Sequence, residues 1–339
     1  MKKQSINDPL AAISIKDKKN NGFIPVIQLK HFGTKLSVII WFIFSGTYLC
    51  TESHAQIAVK VEYIGQSAYM HIPKGDESSV KVGDCKGSAI VYQGFANIPV
   101  YMKKNQNGRP TAWGIGLGGS YASLSNKNFE NDMVSEIMNL QLGVFHLRPL
   151  NDKWSMLASI GAGVYTPFTD FSEIRYKNVL ASTAVIFIRH LKPNLDLGGG
   201  LAVNSTFGYP MVFPALYINW SLEGRFKVNV MLGEGLELSA GYEFSDYFTL
   251  SLAFDMNGQM ALLEKDGKDM IFTHQYMITG LRPEIRLGKS GVSIPVTVGI
   301  NATRPAYYSD RTLKGMFSMD NDFFFRVSPY ASVGIRYGF

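Results

Sequence analysis

The sequence has little cysteine, little charge and few histidines. Its 339 residues include 2 cysteines, and 18% are charged, whereas soluble domains carry about 25%. Cys50 sits inside an apolar leader, so Cys85 stands alone in the mature chain and an internal disulfide is excluded. A mean hydropathy of +0.02 is too low for a bundle of membrane helices. It suits a barrel whose strands keep half their residues toward a polar interior.

Excess positive charge is also missing once the leader is set aside. The formal net charge is +6, but residues 1–55 hold seven lysines and three acids. From position 56 onward there are 26 basic and 24 acidic residues, with no basic run of the kind that binds nucleic acid. Beyond the leader the histidines are His71, His146, His190 and His274, none at metal-ligand spacing. Gly114 to Gly119 lacks the Lys-Ser/Thr and the following helix of a phosphate loop. No G-x-S-x-G or His-x-Ser arrangement occurs. The expectation is a protein with no metal, no cofactor and no catalytic set. An enzyme acting on lipid or peptide is the second reading, because catalytic residues can lie far apart in sequence.

Leu36 to Cys50 reads LSVIIWFIFSGTYLC, preceded by Lys30 and Lys35 and followed by Ser53-His54-Ala55. This has the length and flanks of a secretory signal, with small residues at 53 and 55 fitting a cut before Gln56. The run is shorter than the roughly 20 residues of a membrane anchor. Residues 1–55 are therefore read as an N-terminal extension and cleaved signal peptide, and 56–339 as one barrel domain. The polar stretch before the signal is unusually long. No Met lies between Met1 and Met70, and a start near residue 29 would remove that stretch.

What is abundant is alternation. Counting back from the end, Phe339, Tyr337, Ile335, Val333, Ala331, Pro329, Val327 and Phe325 take every second position. Arg336, Gly334, Ser332, Tyr330, Ser328 and Arg326 fall between them. A period of two puts these sets on opposite faces of a strand. The same pattern marks Phe226–Leu232, Leu236–Phe244, Phe248–Met256 and Val292–Ile300. Strands are expected near 57–71, 88–103, 111–124, 134–148, 153–166, 177–190, 194–206, 211–220, 225–232, 235–244, 247–261, 270–288, 291–303 and 323–339. The fold class is thus all-β, an antiparallel transmembrane β-barrel of about 14 strands, or 12 if one pair is misread. Tight joins at 149–152, 191–194, 222–225, 244–247 and 288–291 carry Gly, Pro, Asn or Asp. Longer joins are expected near 72–87, 125–133, 167–176, 262–269 and 304–322. Short periplasmic turns and longer external loops on opposite rims follow the barrel rule. Trp154, Trp220, Tyr247, Tyr337 and Phe339 would form one aromatic girdle. Tyr165, Phe168, Phe171, Tyr176, Tyr307 and Tyr308 would form the other.

The polar faces carry Lys227, Glu237, Glu243, Asp255, Arg282, Glu284, Arg286, Arg326 and Arg336. As lumen-facing charges they would line a conduit or binding site, or pair into a network that fills the barrel. Tyr337 and Phe339 are expected to serve as the assembly signal read by the barrel assembly machinery. The other expected partners are outer-membrane lipid and a small-molecule ligand or solute.

The Gly-rich strand Asp196–Leu201 is followed by Tyr209-Pro210, Phe213-Pro214-Ala215 and Trp220. Phe226–Leu232, Leu236–Tyr242 and Ser245-Asp246 then complete a series. From Trp154 onward the chain resembles a bacterial family of outer-membrane β-barrels classed as a domain of unknown function. Relatives often carry Pro where this chain has Gly233. The resemblance implies a Gram-negative cell envelope location, the cell outer membrane, and a porin-like architecture. It brings no catalytic residues. The expected function is structural, or passage or binding of small molecules.

Overall fold

The computed structural model describes residues 55–73, 78–105, 108–130, 133–222, 224–232, 235–317 and 323–338. The expected leader and Phe339 lie outside these residues. The strands are β1 (Gln56–His71), β2 (Val80–Lys104), β3 (Pro110–Lys127), β4 (Glu136–Pro149), β5 (Trp154–Thr166), β6 (Val179–Lys192), β7 (Leu195–Asn204) and β8 (Met211–Leu222). They continue as β9 (Phe226–Leu232), β10 (Leu236–Ser245), β11 (Phe248–Lys265), β12 (Lys268–Arg286), β13 (Val292–Asp310), β14 (Phe323–Phe325) and β15 (Ser328–Tyr337). A short helix α1 (Leu313–Phe317) precedes β14.

From β1 to β13 each strand pairs antiparallel with its sequence neighbours, and β14 and β15 both pair with β13 on one side and β1 on the other. The sheet is therefore a closed ring. β14 and β15 act as one broken strand, giving fourteen positions around the barrel. The closing seam sets Val59 opposite Ile335 and Val61 opposite Val333. In the turn-side half of the ring closure leaves no edge and satisfies the backbone within the sheet, as a hydrocarbon surrounding demands.

Alternation places the side chains. On β1, Val59, Val61 and Tyr63 are exposed while Ala58, Glu62 and Ile64 are buried. On β4, Leu140, Leu142 and Val144 point out while Ile137, Asn139 and Phe145 point in. Exposed Ile115, Ile160, Phe187, Leu216, Leu252, Leu281 and Val298 continue this apolar surface around the ring. A surface of that extent is unstable in water and suits lipid. At the rim of the tight turns, Trp154, Trp220, Tyr247 and Tyr337 are exposed as a girdle should be.

The loop-side half departs from the expectation. Residues 262–269 form no long loop: β11 and β12 extend to Lys265 and from Lys268, joined by Asp266 and Gly267 at positive φ. That is a two-residue hairpin turn, and Asp-Gly is its preferred sequence. β13 likewise runs on to Asp310. The sequence hides these extensions because their alternation stops. Gln259–Leu262, Ile271–Tyr276 and Arg304–Tyr307 are buried at consecutive positions. Such continuous burial marks a strand covered on both faces.

Both faces are covered because β11–β13 lean across the lumen until β11 touches β4 and β5. One face packs Ala261, Phe272, Tyr276 and Ile278 against Ile64, Val91, Ala122 and Ile137. The other packs Met260, Leu262 and Ile271 into a cluster with Tyr165, Leu180 and Phe213. The upper barrel is divided by a septum made from its own wall.

The seam bends at the same height. Alternation slips by one between Phe325 and Ser328, both buried, while pairing with β1 and β13 stays in register, so Phe325 faces inward rather than outward. Its ring lies 3.8 Å from the Arg304 guanidinium. β12 and β13 shift register between Met277 and Ile278, and such a bulge re-aims a strand. Tyr165 and Tyr307 are buried at 2% and 8% exposure, so they belong to the interior packing rather than to a girdle.

The glycines of β3 have a packing role. A Cβ on Gly114 would lie 2.2 Å from Phe145 Cζ and 2.9 Å from the Ile98 carbonyl oxygen. Gly114 thus lets the Phe145 ring lie flat on the inner wall. Gly114→Ala should lower barrel stability by about 1–3 kcal/mol through overpacking, read as an earlier midpoint of heat-modifiable gel migration. An unchanged midpoint would contradict this packing.

Candidate functional site

The turn-side half of the lumen has a charged wall built from β9–β12, β15 and β1. Cross-strand register sets Lys227 opposite Gly241, Glu237 opposite Asp255, and Glu284 opposite Thr249. All of these lie on the inner face. The central group is Arg282. Its Nη1 donates to Glu237 Oε1 at 2.7 Å, its Nη2 to Asp255, and its Nε to Thr297 Oγ1 at 3.1 Å. Arg336 reaches the same Glu237 oxygen at 3.6 Å. Lower down, Glu243 pairs with Lys227 and with Arg286, the latter at 2.9 Å. Arg286 also donates to Thr249 at 3.3 Å. Glu284 lies between the two arginines, partly exposed.

Arg326 is placed elsewhere. It is exposed at the break between β14 and β15, and its backbone N–H donates to Ala68 O at 3.0 Å. The slipped alternation at that break, where Arg326 and Val327 are exposed in succession, removes it from the inner face. Tyr337 is 43% exposed on the outer face.

Two members of the wall were not among the expected residues, although Val59-Lys60-Val61-Glu62-Tyr63 alternates clearly. Lys60 Nζ lies 2.8 Å from Glu62, whose side chain is fully buried. Glu62 accepts hydrogen bonds from Tyr276 at 2.6 Å, Tyr330 at 2.5 Å and Gln93 at 2.8 Å. Three donors beside an ammonium supply what a buried carboxylate needs. The chain continues upward. Gln259 Nε2 donates to Tyr276 Oη at 3.3 Å, and its Oε1 lies 2.9 Å from His274 Nδ1. His274 Nε2 lies 3.4 Å from the buried guanidinium of Arg304. A polar relay therefore joins the charged wall to the septum.

Five basic groups (Lys60, Lys227, Arg282, Arg286, Arg336) face five acidic ones (Glu62, Glu237, Glu243, Asp255, Glu284). The wall is close to neutral, with both signs in reach of a solute. Lys227, Glu243 and Arg286 retain 22–32% side-chain exposure. Arg282 and Asp255 in the same network are buried at 7% side-chain exposure, and the occlusion above them is apolar. Among the described residues, no three metal-ligating side chains converge.

The septum is latched to the opposite wall. Asn139 Nδ2 donates to Met260 O at 2.7 Å, and Asn178 Nδ2 to Leu262 O at 2.6 Å. Arg311 donates to the carbonyls of Thr206 at 2.6 Å and Lys177 at 2.8 Å. At the hairpin tip, Lys177 Nζ lies 2.9 Å from both Glu264 and Asp269. Its hydrogen bonds to Asp269 and then Glu264 push the loop ammonium above its ordinary range. Its pairing is thus complete at neutral pH and lost only as pH rises through that raised value.

The geometry defines a closed transmembrane β-barrel with an internal septum above a charged inner wall. The chain belongs to the DUF6268 family, a domain of unknown function, which matches residues 51–338. No curated protein matches the sequence. Among solved structures, the chain is similar to an outer-membrane channel from Pseudomonas putida F1, at 10% identity and TM-score 0.41 over 86% of this chain and 98% of that one. It is also similar to the translocator domain of the autotransporter NalP from Neisseria meningitidis, at 13% identity and TM-score 0.33 over 91% and 95%. A third likeness is to the outer-membrane protease OmpT from Escherichia coli, at 10% identity and TM-score 0.27 over 86% and 99%. The barrel assignment rests on this chain's own strand pairing.

Burial ranks the wall charges. Arg282→Met strands Asp255, which is 5% exposed, and should destabilise the barrel by about 3 kcal/mol or more. Glu243→Gln alters a partly exposed pair and should cost under about 1 kcal/mol. Thermal midpoints of the two purified variants check this order, and the reverse order would contradict it.

Proposed function

We propose that this chain is an outer-membrane barrel that controls the passage of small polar solutes through a gate made by β11–β13. The carrying observation is the unlike halves of the lumen: a mixed-charge wall partly exposed at Lys227, Glu243 and Arg286 near the turn rim, and an apolar septum across the loop side. The exposed apolar belt and the expected export leader support the outer membrane as its location. Outer-membrane lipid and the barrel assembly machinery are then its partners, with Tyr337 and Phe339 near the assembly signal.

The septum has the attributes of a gate. It is wall rather than a separate plug, so its movement leaves the lower ring closed. Its polar latch is a few hydrogen bonds, each worth about 1 kcal/mol net, and the Lys177 pairs at its tip, while the packing of Met260, Leu262, Ile271 and Phe272 holds it against the wall. Arg304 weakens it further, because its Nε and Nη2 are buried without a hydrogen-bond partner. A buried unpaired donor favours the state that exposes it. The wall's balanced charge favours zwitterionic or mixed-charge solutes over simple ions of one sign.

Planar-bilayer recording tests the reading. The intact protein should be mostly silent, and deletion of residues 260–272 should give steady channels. A permanently open intact protein, or a correctly folded deletion variant that stays silent, would contradict gated passage.

A further inference from the structure

The mouth of the barrel at the turn rim holds an arrangement that solute passage does not use. Ser155 opens β5, His190 lies near the end of β6, and Asp196 near the start of β7, all on the inner face. His190 and Asp196 are direct cross-strand partners. Ser155 pairs with Ile188, which makes His190 its diagonal neighbour on the same face. Ser155 Oγ lies 2.8 Å from His190 Nε2, and His190 Nδ1 lies 2.7 Å from Asp196 Oδ1. The carboxylate accepts from Nδ1–H, which leaves Nε2 free to accept the serine proton. That is the order of roles in a nucleophile, base and orienting acid.

We propose that Ser155, His190 and Asp196 form a nucleophilic site that cleaves small carboxylic esters reaching the barrel mouth. Nε2 takes the Oγ proton as Oγ bonds to the ester carbonyl carbon. The bond to the alkoxy group then breaks, and the alcohol leaves with that proton. Water, deprotonated in turn through Nε2, releases the acid and restores the serine. His190 and Asp196 keep 19% and 23% side-chain exposure, so the site opens to solvent. Ser155 is 4% exposed, which limits the reacting acyl group to a small or slender one. Leu157 and Ile188, buried beside it on the inner face, make that side of the serine apolar. On the outer face, Arg189 lies 5.7 Å from the Trp154 ring, which holds this end of β5 and β6 at the membrane boundary.

Alternation concealed the site. Its residues belong to three strands, and in a barrel the diagonal neighbour of a serine is found by register rather than by motif. A purely structural role, tying three strand ends together, uses the same hydrogen bonds. Reactivity separates the two.

The test uses the full mature barrel in detergent, with folding checked by heat-modifiable migration. A fluorophosphonate reporter should label one residue, mapped to Ser155 by peptide mass; this needs no variant. With 4-nitrophenyl acetate, His190→Gln should lower the rate by about 10²–10⁴-fold, the range of general base catalysis. Asp196→Asn should lower kcat and leave KM unchanged, as a positioning residue does. A folded protein that takes no label at Ser155, or a folded Ser155→Ala variant that hydrolyses the ester as fast as the parent, would overturn the proposal. The outcome is independent of whether the septum moves.

Discussion

A sheet surrounded by hydrocarbon must satisfy every backbone N–H and C=O within the protein. Over most of this barrel the neighbouring strand does so. β9 and β10 are short, however, at 7 and 10 residues beside the 18 of β11. Pairing between β10 and β11 ends at Leu236 and Met256, so the rest of β11 has an edge with no strand beside it. The edge cannot face lipid, and the upper wall turns inward. Asn139 and Asn178 from across the barrel then accept the role of the absent strand. The Asn139 amide donates to Met260 O and accepts from Met260 N at 3.4 Å, much as a paired residue would.

The rest of the architecture follows from that inward turn. With both faces of β11 and β12 covered, consecutive apolar residues replace alternation and two cores form, one on each side of the septum. The polar groups that descend from it meet the charged wall through Gln259, Tyr276 and Glu62. Arg282, Glu237 and Asp255 are held by the lower, fully paired part of the ring. Complete strand pairing thus holds the charged wall, while apolar packing and side-chain hydrogen bonds hold the septum.

The sequence carried the barrel well because a strand with lipid on one face and a lumen on the other must alternate. It gave thirteen of the ring positions directly and the fourteenth as an unbroken 323–339, where a slip in the alternation in fact turns Phe325 inward and Arg326 outward. The faces of Lys227, Glu237 and Arg282 were readable for the same reason; their partners were not, since register decides them. The septum was invisible because alternation is the signal, and its burial on both faces erases that signal between Gln259 and Tyr276. The polar tract Glu264–Asp269 then reads as a loop, although it is the tip of a hairpin tied down by Lys177. Ser155, His190 and Asp196 were missed because three strands supply them.

The central claim is that the β11–β12 tip rests on the opposite loop in the intact membrane. Cysteines placed at Lys177 and Asp269 test it with a short bifunctional thiol reagent applied to whole cells, since Cys85 is buried and does not compete. Rapid intramolecular cross-linking that retains the folded form on gels is expected. A pair that reacts singly with monofunctional reagents yet never cross-links would contradict the inward-folded septum.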